Sequence, residues 1–245
     1  MENLKQFFLN NWIWFLVSLI ILVLIIIVFS SRRRVVKMYD KYLGVRVRSN
    51  MTGGEFAQLL AYNLNLPISL VKIPELHYDC YISKTKQLVM SQAVCDTASI
   101  TSLAIVAHEV GHVLQDVNGS ASFRFNHTMR KITGITNKFV FPLLIASLFF
   151  WIFKWPETTA WLTTLTIAGI LFLLNLIAKF SHIPIEKNAT SKGFYLLKEY
   201  AEMTKSEFRQ AHKLLKVAGT TYLAHFFDDF FMLDRVKRYL YRTYS

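Results

Sequence analysis

His108-Glu109-Val110-Gly111-His112 is the group of residues in this chain best suited to do chemistry. On a helix the two histidines stand four positions apart and share a face, so both imidazoles can reach one metal ion. Glu109 is turned about 100° from His108 by the helical period, which aims it at a water beside the metal rather than at the metal. Two imidazoles, one carboxylate and an open fourth position suit a catalytic zinc. Gly111 lets another backbone approach closely. The bland alternative, two core histidines on an apolar helix, leaves the ordered HExxH pattern unexplained.

Such a site needs a third protein ligand. The extended form HExxHxxGxxH would need Gly and His where this chain has Gln115 and Asn118, which excludes that class. Three downstream residues are candidates: His127, His182 and Glu186. His127 follows the motif closely but has no ligand-like surroundings. His182 and Glu186 remain close rivals.

The motif must sit on a helix, and the sequence around it is helical. Ile100, Leu103, Ala104, Ala107, Val110 and Leu114 recur at i, i+3, i+4 spacing over residues 98–116, and Asn118-Gly119 ends the run. Thr52-Gly53-Gly54-Glu55 is a capping box that opens a helix to about Asn63, with Phe56, Leu59 and Leu60 on one face. Residues 70–73 and 87–90 are short and β-rich, and are expected to form a small sheet. Residues 188–203 are helix-like. Thr204-Lys205-Ser206-Glu207 is a second capping box, for a helix closed by Gly219, and an aromatic amphipathic stretch follows over 221–241.

Composition places these elements beside a membrane. Of 245 residues, 53% are hydrophobic and only 18% charged, against about 25% charged in soluble domains. Disorder is excluded by the apolar content, and a collagen-like or disulfide-stapled chain by 9 Gly and 2 Cys. Residues 11–30 carry no charge and would rise about 30 Å as a helix, the thickness of a bilayer core. The stretch exceeds a signal peptide's core and runs into Arg32-Arg33-Arg34 with no small-residue cleavage site, so a retained span is expected. Residues 139–153 and 160–178 flank Lys154-Trp155-Pro156-Glu157 and read as a transmembrane hairpin, the first arm short enough to need Lys138 and Lys154 to snorkel. This hairpin would return Glu186 and His182 to the leaflet face of the HExxH helix.

The net charge of +12 also has an address. Residues 31–138 hold 14 basic and 7 acidic residues, and residues 179–245 hold 12 and 7. The positive-inside rule places both segments in the cytoplasm. Topology and anionic lipid explain the charge, and no zinc knuckle or RNP signature points to nucleic acid. Cys80 and Cys95 lack metal or redox spacing and read as reduced residues.

Ala107-His108-Glu109-Val110-Gly111-His112-Val113-Leu114-Gln115 resembles the AHExGHxxQ motif of the YugP-like neutral zinc metallopeptidases, a family of membrane proteins. The likeness runs in order through residues 31–242. Ser49-Asn50-Met51-Thr52-Gly53-Gly54-Glu55 is similar to that family's SxLTGxE segment and His77-Tyr78-Asp79 to its DHYD. Residues 88–91 are similar to its strand ending in LS, Ile185-Glu186-Lys187-Asn188-Ala189-Thr190 to its VEFNAS, and Thr221-Tyr222-Leu223-Ala224 to its TYVA. Leu76, Lys187 and Gly193 depart from the pattern, and none is a ligand position.

The resemblance implies a gluzincin-like zinc metallopeptidase binding one Zn2+ per chain through His108, His112 and Glu186, with Glu109 as general base. It acts on peptide or membrane-proximal protein substrates. The expected fold is a mainly α, multi-pass cell-membrane protein. Residues 10–30 form a transmembrane helix. Residues 31–138 and 179–245 form a small α+β zincin-like cytoplasmic domain, interrupted by a transmembrane helical hairpin over 139–178. His77, Tyr78, Tyr222 and His225 are candidate oxyanion donors. Asn188 is expected to cap its helix rather than orient a ligand. Three rival readings are a zinc-binding, non-hydrolytic membrane scaffold, a protease with its site inside the bilayer, and a basic lipid binder.

Overall fold

The computed structural model describes residues 33–74, 78–153 and 158–218, with isolated positions 12, 16, 19, 22, 23, 26 and 30. Two compact units are present, residues 1–41 with 216–245, and residues 42–215. In the first unit, the described positions between 12 and 30 are helical. Trp12, Leu16, Leu19, Leu22, Val23 and Ile26 are exposed. Most of the expected first span, His77, Gly219 and the whole aromatic stretch with Tyr222 and His225 lie outside the described residues.

Residues 33–43 form α1, and the second unit contains everything that positions the motif. The Thr52 capping box starts α2 (Gly53–Asn63), with the Thr52 hydroxyl and the Glu55 carboxylate each taking a backbone N–H of the other residue. The sheet has three strands, β1 (Ser69–Ile73), β2 (Cys80–Ile82) and β3 (Gln87–Ser91), in the order β1-β3-β2. The two expected strands pair in parallel, Ser69 with Gln87 through Ile73 with Ser91. The added strand β2 pairs antiparallel with β3, so the polar Lys84-Thr85-Lys86 segment is a hairpin turn. A three-residue strand offers too few alternating positions to stand out from a polar stretch.

After a short α3 (Gln92–Asp96), Ser99 caps α4 (Ile100–Val117), which carries the HExxH motif. Gly119, at φ +61°, follows it, as a helix end commonly requires. One face of α4 is fully buried through Leu103, Val106 and Val110, in a core shared with Phe56 and Leu60 of α2, Leu88 and Met90 of β3, and Leu196 and Leu197 further along the chain.

Two long helices follow, α5 (Ala121–Phe153) and α6 (Thr158–Tyr200). Both are long and apolar enough to cross a membrane. At 33 and 43 residues they rise about 50 and 65 Å, more than the roughly 30 Å of a bilayer core. They run antiparallel. Asn126 donates to Ser181 Oγ at 3.1 Å, Thr136 to Asn175 Oδ1 at 3.3 Å and Ser147 to the Trp161 carbonyl at 3.2 Å. Hydrogen bonds of this kind hold apolar helices together where burial of apolar surface cannot.

One expectation needs correction. The helix-like segment expected from residue 188 does not start there: α6 is continuous from Thr158 to Tyr200. Asn188 therefore lies deep inside a helix and caps nothing. Pro184 removes one helical N–H, but the helix continues because both flanks pack, Ala178 before it and Ile185 and Ala189 after it being buried. The second capping box is present: Glu207 takes the Thr204 N–H at 2.7 Å and starts α7 (Lys205–Ala218).

Candidate metal centre

The site is made where α4 crosses α6. A Cβ on Gly111 would strike the Ala189 carbonyl, and one on Gly193 would sit 3.2 Å from the Ala107 carbonyl and the His108 nitrogen. The absent side chains are what allow the two backbones to touch. Gly193, a departure from the family pattern, thus sits at the helix contact itself.

At this crossing the donor atoms of His108, His112 and Glu186 all lie within 4.8 Å of one another, and among the described residues this is the group able to hold a metal ion. His108 Nε2 is 3.2 Å from Glu186 Oε2, and His112 Nε2 is 3.5 Å from Glu186 Oε1. The two imidazoles meet edge to face at 4.9 Å. Glu186 is buried at 8% exposure, and an isolated carboxylate so placed is costly unless cations or N–H donors face it. Two imidazole nitrogens and one carboxylate, converging with their side chains only 10–16% exposed, fit zinc in ligand type and number.

Each ligand has a partner behind it. Gln115, 1% exposed, donates its amide to the Ile185 carbonyl at 2.6 Å and to Asn188 Oδ1 at 3.0 Å. Its Oε1 therefore faces His112 Nδ1, at 3.0 Å. That nitrogen must carry a proton, which leaves Nε2 as the ligating atom. Thr190 Oγ1 lies within hydrogen-bond distance of His108 Nδ1, at 3.3 Å, and steadies that ring from behind. Asn188 acts at one remove, by fixing Gln115.

Glu109 lies beside the three ligands. Its Oε2 accepts the Tyr81 backbone N–H of β2 at 2.9 Å. Burial raises its pKa, against the pull of His112 and His108 and with the help of Glu186. Burial opposes a charge on His112, but Glu186, Glu109 and Gln115 outweigh it and lift the imidazolium to about 9. The same negative field attracts a divalent cation.

One further cluster locks β2 to the motif helix. Tyr81 Oη and Ser83 Oγ each donate to Asp116 Oδ2 at 2.7 Å, and Lys86 Nζ sits 2.6 Å from it. Tyr81, Asp116 and Thr190 were not expected from the sequence. Thr190 has a local signal, four positions after Glu186 on one helical face, whereas Tyr81 has none. Of the remaining candidates, His127 is exposed on α5 and outside the converging group. Tyr78 is 57% exposed. His182 touches Glu186, with its Nε2 at 2.9 Å from Oε1, but lies outside the converging group.

The fold joins two helices long and apolar enough to cross a membrane to a His-His-Glu group that could hold a metal ion. The family model described as "Putative neutral zinc metallopeptidase" matches residues 17–240, and the chain belongs to that family. It is 26% identical over 202 residues to "Putative membrane protease YugP" of Bacillus subtilis (strain 168), across 80% of this chain and 84% of the relative. No solved structure matches it.

Proposed function

We propose that the chain is a membrane-anchored, zinc-dependent endopeptidase that hydrolyses peptide bonds on the cytoplasmic side of the membrane. Residues 10–30 anchor it, and 139–178 cross the bilayer as a hairpin. Residues 31–138 and 179–245 are two halves of one cytoplasmic catalytic domain. The observation that carries this reading is the convergence of His108, His112 and Glu186 with Glu109 alongside. The relative described as a membrane protease supports the same class.

His108, His112 and Glu186 hold one Zn2+. When bound, the ion polarises a substrate carbonyl and lowers the pKa of water towards about 7. Glu109 takes the proton of the attacking water and returns it to the leaving amine. Its Oε2 is held by the Tyr81 N–H, which leaves Oε1 to receive the proton. Its raised pKa suits a group that must carry a proton between the two steps. The substrate is a protein or peptide at the membrane surface, as the Lys84-Thr85-Lys86 turn, exposed at Lys84 and Thr85 and bound to Asp116 of α4 through Lys86, argues against a site within the bilayer.

The test uses full-length protein in detergent. Zinc per chain is counted by elemental analysis in wild type and Glu186→Ala, and each is assayed on unfolded casein. One zinc and cleavage in wild type, with both lost in Glu186→Ala, is the expected result. Zinc without cleavage of casein or of membrane-protein substrates favours a metal-binding scaffold. No zinc in wild type overturns the reading.

A further inference from the structure

Three imidazoles surround the Glu186 carboxylate. His108 and His112 lie 3.2 and 3.5 Å from it, and His182 lies closest, at 2.9 Å from Oε1. Their fates differ once a metal is present. His108 and His112 must turn their Nε2 lone pairs to the ion and can no longer donate to the carboxylate. His182 is outside the converging group, so its N–H stays on Oε1. It stands one helical turn before Glu186 on the same face of α6.

The backbone makes such a brace useful. Pro184 lies between the two residues and leaves the Phe180 carbonyl without its helical N–H. The helix is thereby weakened at the turn that carries the ligand. Gln115 holds that turn from α4 through the Ile185 carbonyl, and His182 holds the carboxylate itself.

We infer that His182 is the positioning residue for Glu186: its Nε2–H holds Oε1, the oxygen that also faces His112, and so fixes the carboxylate against the two imidazoles of α4. This inference rests on the zinc-site reading above.

The experiment compares full-length wild type, His182→Phe and His182→Gln in detergent. Phe keeps the ring but has no donor, and Gln restores an N–H. The His182 side chain is 34% exposed, so neither change opens a core cavity. Zinc affinity is measured by chelator competition, and the ligand field by the absorption spectrum of the Co2+-substituted protein. We expect His182→Phe to bind zinc about 10- to 100-fold more weakly, with a Co2+ spectrum that differs from wild type. His182→Gln regains most of the affinity and the wild-type spectrum. Wild-type affinity and spectrum in His182→Phe overturn the inference. Equal loss in both variants also overturns it, because the donor then does not matter and His182 is either a direct ligand or only a packing residue. If wild type binds no zinc, the functional reading fails first, and the two failures are distinguishable.

Discussion

Gln115 Oε1 faces His112 Nδ1 at 3.0 Å because the Gln115 amide is already committed to the Ile185 carbonyl and Asn188 on the other helix. One buried side chain therefore sets the tautomer of a ligand on α4 and ties that ligand to the turn of α6 that carries Glu186. Gln115→Ala should strand the Ile185 carbonyl and the His112 Nδ1–H, lowering stability by about 1–3 kcal/mol and zinc affinity about 10- to 100-fold. Denaturant unfolding of the zinc-free protein and chelator competition measure the two effects separately. Unchanged values for both would remove Gln115 from the site.

Glu109 rests on the Tyr81 backbone N–H, which donates to its Oε2 at 2.9 Å. Glu109→Gln keeps that acceptor and loses the base. We expect zinc content to stay at the wild-type level while casein hydrolysis falls by about 10²–10⁴. A variant that still cleaves at wild-type rate would show that another group moves the proton.

Gly111 and Gly134 make a matched pair. Both lie within helices, but a Cβ at Gly111 meets the Ala189 carbonyl while one at Gly134 meets nothing within 4 Å. Gly111→Ala should force α4 from α6, costing about 1–3 kcal/mol and separating the histidines from Glu186. Gly134→Ala should be neutral or gain up to about 1 kcal/mol from helix propensity. Thermal unfolding and zinc content of the two variants check this, and similar behaviour in both would contradict the close crossing.

Asp116 gives a pH dependence of known sign. Burial works against its charge, but hydrogen bonds from Lys86, Ser83 and Tyr81 outweigh it and hold the carboxyl below its ordinary range. A carboxylate lowered in the folded state adds stability above its unfolded pKa of about 3.9, and that stability is lost as pH falls through the lower folded value. Asp116→Asn should therefore be less stable than wild type at neutral pH, with the difference shrinking as the pH falls below about 4. Urea midpoints for both proteins, from neutral pH downwards, measure it. A constant difference across that range would mean that the Asp116 charge plays no part.

The sequence alone determined what local spacing can determine. Both capping boxes, the helix over the HExxH motif and its glycine-terminated end are written within three or four residues of themselves, because a helix relates positions at that distance. The shared face of His108 and His112 is legible for the same reason. Gly111 was legible as a place of close approach, though not what approaches it.

Tertiary structure decided the rest. By position alone His182 and Glu186 are close rivals and the family resemblance favours Glu186, but the crossing of α4 on α6 is what brings the Glu186 carboxylate to both histidines. The continuity of α6 through Pro184 depends on packing at Ile185 and Ala189, which no local propensity records. The hold of Tyr81 on Glu109 joins two residues 28 apart. It depends on β2 lying at the sheet edge beside α4, and a three-residue strand is fixed by its partners rather than by its own sequence.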